Sequence, residues 1–230
     1  MRFNGLPGRK YIAGCDTFIR HRIVAALACK FSPRTILDVG GEGMLKLFLP
    51  RVQITTANVK SGDISYSGDK LPLNGNSFDV VVSLDTIEHL PKHERADFAQ
   101  ELYRVSKKAF ILCAPLGTAE HLAYEKKILD SRKVSEHSNT YLAEHVKYGL
   151  PTPDEVSEMV RLFSAHVFYQ GDFRKVKPSE NRYMYFQLLA QTAGNMLVDA
   201  FWRDSKYLKS SFTPYTNRFF LIANKVDDDY

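Results

Sequence analysis

The chain has 230 residues, 44% of them hydrophobic and 25% charged, a balance that fits a packed globular protein and excludes a disordered or fibrous one. No apolar run reaches the roughly 20 residues a membrane-crossing helix requires, and the opening MRFNGLPGRKYIAG carries basic residues with no apolar signal core behind them. The net charge of +5 is scattered rather than gathered into a stripe, so nucleic acid is not an expected partner, and three widely spaced cysteines fit a reducing, cytoplasmic setting.

In residues 16–31, Phe18, Ile19, Ile23, Val24 and Leu27 recur at helical spacing and predict a helix with Cys29 buried at its end. After Pro33, TILDVG (35–40) reads as a buried strand ending in glycine, and MLKLFL (44–49) reads as helical until Pro50 stops it. The β-branched run VQITTANV (52–59) gives a second strand. FDVVVSL (78–84) is almost continuously apolar, as expected of a central strand covered on both faces of a parallel sheet. Residues 93–105 return to helical spacing, and AFILCAP (109–115) is another buried strand, with Cys113 inside it. This alternation predicts an α/β fold: a Rossmann-like, doubly wound, mostly parallel sheet with helices on both faces.

Beyond Pro115 the pattern becomes polar and helical through residue 163, with Pro151 and Pro153 placed to start a helix at TPDEV, and it reads as a lid insertion. HVFYQGDF (166–173) is a strand and residues 183–208 a long helix crowded with Tyr183, Tyr185, Phe186, Phe201, Trp202 and Tyr207. Core packing accounts for most of these rings, an acceptor pocket or a homodimer face for the rest. RFFLIANKV (218–226) is an antiparallel closing strand, and the acidic 227–229 a frayed tail. One domain is expected, in four stretches: a helical segment 1–34, a cofactor-binding half 35–117, the lid 118–165, and 166–226 with the last strands and the aromatic helix.

ILDVGGEG (36–43) puts the Asp38 carboxylate at the end of the first strand and glycines in the turn after it, where open α/β sheets bind ligands and a backbone without side chains can approach them. A simple cap of the next helix is the lesser alternative for Asp38, given the glycines around it. The second strand ends at Asn58, 20 residues after Asp38, the distance at which such folds place a ribose-binding side chain.

The ILDVGG turn followed by LPL and SFDVVVSLDTIEHL resembles the class I S-adenosylmethionine-dependent methyltransferases, especially the subgroup acting on small molecules, lipids and sugars, over residues 35–115. The resemblance implies S-adenosylmethionine as cofactor, with Asp38, Gly40, Gly41 and Gly43 along its methionine end and Asn58 at the ribose. Asp63 would meet the adenine, and Leu84 and Asp85 would close over the cofactor. For Asp63 a solvated turn is an equal reading. Two positions depart from the pattern: Glu42 stands where glycine is usual, and Asn58 where an acid is usual. Glu42 either points outward or holds the cofactor's ammonium, and the Asn58 amide still hydrogen-bonds a hydroxyl without the charge-assisted strength of a carboxylate.

Methyl transfer from a sulfonium is an in-line displacement that needs a base only for a protonated nucleophile. Candidate bases are His145 and His89, from a polar set that also holds His121, Glu125, His137, Tyr141, Glu144 and Tyr148. Glu144 and His145 are adjacent on a helix and point in different directions, so only one need face the pocket, and His145 is the favoured one. Packing or a solvated face is the plainer reading of each, Glu88 included. His121 and Glu125 stand one helical turn apart, yet no third ligand is fixed by pattern and no metal is expected. The acceptor is expected to be a small molecule, a sugar or a lipid precursor, since no N-P-P-Y or D-P-P-Y signature follows the 78–84 strand. The alternatives are a methyltransferase fold without catalysis, and a nicotinamide-dependent oxidoreductase, for which the third spaced glycine is missing.

Overall fold

The computed structural model describes residues 9–59, 61–66, 70–131, 136–175 and 184–225, without the side chains of 136–139, 184–188, 204 and 205. The strands are β1 Thr35–Val39, β2 Gln53–Asn58, β3 Ile64–Ser65, β4 Phe78–Leu84, β5 Ser106–Pro115, β6 His166–Asp172 and β7 Thr216–Asn224. The helices are α1 Cys15–Cys29, α2 Arg95–Val105, α3 Ala119–Asp130, α4 Glu136–Tyr148, α5 Pro153–Leu162, α6 Met184–Ala200 and α7 Asp204–Tyr207.

These strands form one sheet in the order β3-β2-β1-β4-β5-β7-β6, in which β7 runs antiparallel to both β5 and β6 and the other pairs are parallel. The chain reverses its direction across the sheet between β1 and β4, and β4 is central, as its apolar run predicts. The closing strand is not at an edge: β7 is inserted between β5 and β6, which sequence order does not suggest. β3 is a two-residue strand with too little pattern to be read from sequence.

Each central strand is apolar on both sides because each side meets helices. On one face Leu37, Val81, Phe110, Leu112 and Leu221 pack with Leu102 of α2 and Val156 of α5. On the other, Ile36, Val80, Val82, Ile111 and Phe220 pack with Ile23, Val24 and Leu27 of α1. The period-2 alternation of strand side chains thus serves two cores at once.

Three expectations change. MLKLFL makes only a short 3-10 turn at Met44–Leu47, entered from Gly43 at φ 83°. The helix of residues 183–208 ends at Ala200, and Trp202 turns back to stack on Tyr207 at 4.6 Å, beneath the Arg22 guanidinium. Tyr183 lies outside the described residues, as do the Tyr185 and Phe186 side chains and the 227–229 tail. Cys113 is buried, but Cys29 is exposed at the end of α1, where the helix has turned it outward. Among the described residues no helix is long and apolar enough to cross a membrane.

Candidate active site

The site grows from the carboxyl ends of β1 and β4, side by side where the sheet reverses its winding. Asp38 is 2% exposed, and its Oδ1 is buried without a hydrogen-bond partner. Burial pushes its carboxyl up to about 7, against the pull of the nearby Lys46 ammonium. Gly40 takes φ 82°, and a Cβ there would overlap the Thr86 side chain. A Cβ on Gly41 would overlap the Asp38 carboxylate. Both glycines are therefore required by the turn itself, and the cradle they leave beside a buried carboxylate suits a cationic ligand close to backbone. Gly43 also has positive φ but would have room for a Cβ.

Asn58 ends β2 as read from sequence and reaches the turn: its Nδ2 donates to the Gly40 carbonyl at 3.0 Å. Glu42 is exposed, in keeping with the outward-pointing alternative. Asp63 is also exposed, and its Oδ2 accepts from the Thr56 amide at 2.9 Å, the Thr56 hydroxyl at 3.0 Å and Lys46 Nζ at 3.2 Å. That set of bonds ties the β2–β3 loop to β2. Leu84 belongs to the core facing α1. Asp85, with φ 49°, pairs with Arg218 of β7 at 2.7 Å and with Arg20 of α1 at 2.9 Å. Burial raises its carboxyl, but the two guanidinium groups outweigh burial and hold it below the usual range. Arg218 also binds Asp16 at 2.8 Å, so one buried cation joins α1, β4 and β7.

Thr86, not singled out by the sequence reading, packs against Gly40 and donates from Oγ1 to the Leu84 carbonyl at 3.1 Å. The short turn Ile87–His89 follows it and meets α4, which packs on α3. There the structure collects most of the candidate bases. His145 Nδ1 lies 3.1 Å from both oxygens of Glu125 on α3, and His89 Nδ1 lies 2.7 Å from Glu144. The two imidazoles are 4.9 Å apart, and Tyr141 meets His89 edge-on. Glu144 and His145 therefore both take part, because His89 sits where each can reach it. His121 bonds the Leu116 carbonyl through Nδ1 at 2.9 Å, places Nε2 3.8 Å from Glu125, and stacks on Phe173. Tyr148 is engaged with Lys147, and the His137 side chain lies outside the described residues.

Burial, and secondarily the neighbouring His145, lower the His89 imidazole below its ordinary value, against the pull of Glu144. Glu88 is 1% exposed, and burial, reinforced by Asp85, raises its carboxyl well above the ordinary range. The cluster is invisible to spacing arguments, since it joins residues from three separate elements.

Residues 40–113 match the family described as "Methyltransferase domain". Among solved structures, the chain is similar to an S-adenosylmethionine-dependent methyltransferase from Archaeoglobus fulgidus, at 12% identity and TM-score 0.50 over 89% of this chain and 94% of that one. It is also similar to the plantazolicin methyltransferase BpumL in complex with a triazolic desmethylPZN analog and SAH, at 14% identity and TM-score 0.55 over 90% and 84%. A search of curated proteins finds no match. At such identities the likenesses show the fold, and the family match covers the segment from the glycine turn to β5. That segment carries the pattern of a methyltransferase domain, and the chain as a whole has the fold of S-adenosylmethionine-dependent methyltransferases.

Proposed function

We propose that the protein transfers the methyl group of S-adenosylmethionine to a small-molecule, sugar or lipid-precursor acceptor admitted beneath α3 and α4. The observation that carries this reading is the buried Asp38 carboxyl, its Oδ1 without a hydrogen-bond partner, beneath a turn whose Gly40 and Gly41 leave no room for a side chain, at the sheet's reversal point. Asp38, Gly40, Gly41 and Gly43 would hold the methionine end of the cofactor and Asn58 a ribose hydroxyl, while Asp63 supports that strand end through Thr56. The cofactor supplies an electrophilic methyl group on a sulfonium that is already a good leaving group.

The rest falls to this chain's own residues. Glu125 and Glu144 orient the imidazoles of His145 and His89 by binding Nδ1, which leaves Nε2 of each ring as the atom to receive a proton from the acceptor. The buried setting of His145 and Glu88 keeps water out and strengthens both contacts.

Calorimetric titration with S-adenosylhomocysteine tests the cofactor half. The protein should bind it, and Asn58→Leu should weaken binding by about 10- to 100-fold through an unpaired hydroxyl and the loss of the bond to Gly40. His145→Ala should leave that affinity nearly unchanged and lower turnover in a methyl-transfer screen over acceptor pools. Absence of binding to either cofactor form at millimolar ligand would favour a methyltransferase fold without catalysis.

A further inference from the structure

Two side chains in the cluster leave ligand-type atoms without partners. Glu88 Oε2 and His145 Nε2 are buried and accept no hydrogen bond, and Glu88 is among the most buried charged side chains described. His145 and His89 each bind a carboxylate through Nδ1, which places the imidazole proton on Nδ1 and the lone pair on Nε2. Two such lone pairs beside the buried Glu88 carboxyl need a proton or a cation between them.

We propose that Glu88, His89 and His145 form a binding site for one divalent first-row transition ion. One ligand atom from each lies within 4.8 Å of the others. Ligands at the bond lengths of zinc or its neighbours stand at most about 4.2 Å apart, so closure around an ion requires a shift of about half an ångström. Two imidazoles and one carboxylate suit manganese, iron, cobalt or zinc better than calcium or magnesium, which favour all-oxygen shells. Glu125 and Glu144 have the geometry of outer-sphere partners: a carboxylate on the far nitrogen of each ligating histidine fixes the ring and raises its basicity. Three protein ligands leave positions open for an exogenous one, the pattern of a working site rather than a structural one. With the ion in place, His145 and His89 are ligands, and the ion itself lowers the hold of an acceptor hydroxyl on its proton, which leaves to solvent. Only this last role rests on the methyl-transfer reading.

The test uses untagged, chelator-stripped full-length protein titrated with Co²⁺, followed by visible absorption and calorimetry, with S-adenosylhomocysteine titrated separately. One Co²⁺ per chain should bind, at least about 10-fold more weakly in each of Glu88→Gln, His89→Gln and His145→Gln, and unchanged in His93→Gln, whose side chain is 82% exposed nearby. Circular dichroism confirms that each variant is folded. Should a ligand variant fail to fold, Glu125→Gln, which removes only the outer partner, should still weaken binding by about 10-fold. No absorption band and no heat up to about 1 mM Co²⁺, or binding that none of these variants alters, overturns the proposal. If cobalt does not bind but S-adenosylhomocysteine does, the ion site falls alone, and the reverse outcome removes the methyl-transfer reading alone.

Discussion

Asp38 shows how one side chain couples the site to stability. A carboxyl that titrates near 7 in the folded chain and near 3.8 when unfolded costs about 4 kcal/mol once charged. The folded pKa is raised, so the folded state holds the proton longer. Its contribution is therefore fully present below about pH 4 and is lost as pH rises through about 7. Asp38→Asn, neutral at every pH, should flatten that fall in urea-unfolding free energy between pH 4 and 7, and an unchanged slope would show that Asp38 is solvated. Asp38 and its glycines are legible in the sequence because they are contiguous and their spacing is the signal. Thr86 and Arg218 are not legible, because their roles come from β1 lying beside β4, and β7 beside β5, which no local pattern states.

Among the elements, α5 is the best specified, and it anchors the end of the α3–α5 region. Thr152 accepts from the Glu155 amide at 3.2 Å and Glu155 accepts from the Thr152 amide at 2.8 Å, closing a reciprocal cap that TPDEV announces in sequence. The same Glu155 binds Arg95 of α2 at 3.0 Å, and Arg95, only 4% exposed, also donates to the Tyr148 and Gly149 carbonyls where α4 ends. Thr152→Ala should cost about 1 kcal/mol, the value of one cap. Glu155→Ala should cost about 3 kcal/mol, because it also strands a buried guanidinium. Equal losses in urea titrations would show that Arg95 finds another partner. The other elements divide by the strength of their pattern. β4 and β5 read correctly from continuous apolar runs, whereas the break after Ala200 depends on Trp202 finding Tyr207 and Arg22, a tertiary event without a local marker.

At the scale of the whole molecule, Arg218 ties the first helix to the reversal point of the sheet through Asp16 and Asp85. Arg218→Met keeps most of the volume and removes the charge. It should cost about 2 to 3 kcal/mol of unfolding free energy, less than a fully buried pair would, because Arg20 still neutralises both carboxylates. A loss under 0.5 kcal/mol would mean that α1 is held by its apolar face alone. The placement of β7 inside the sheet has its own consequence for biosynthesis. A ribosome delivers β6 before α6, α7 and finally the strand with which β6 pairs. A nascent polypeptide halted between residues 172 and 216 therefore has the β5 edge open and β6 without its sheet partner, and during that interval both are available to strands of neighbouring polysome products.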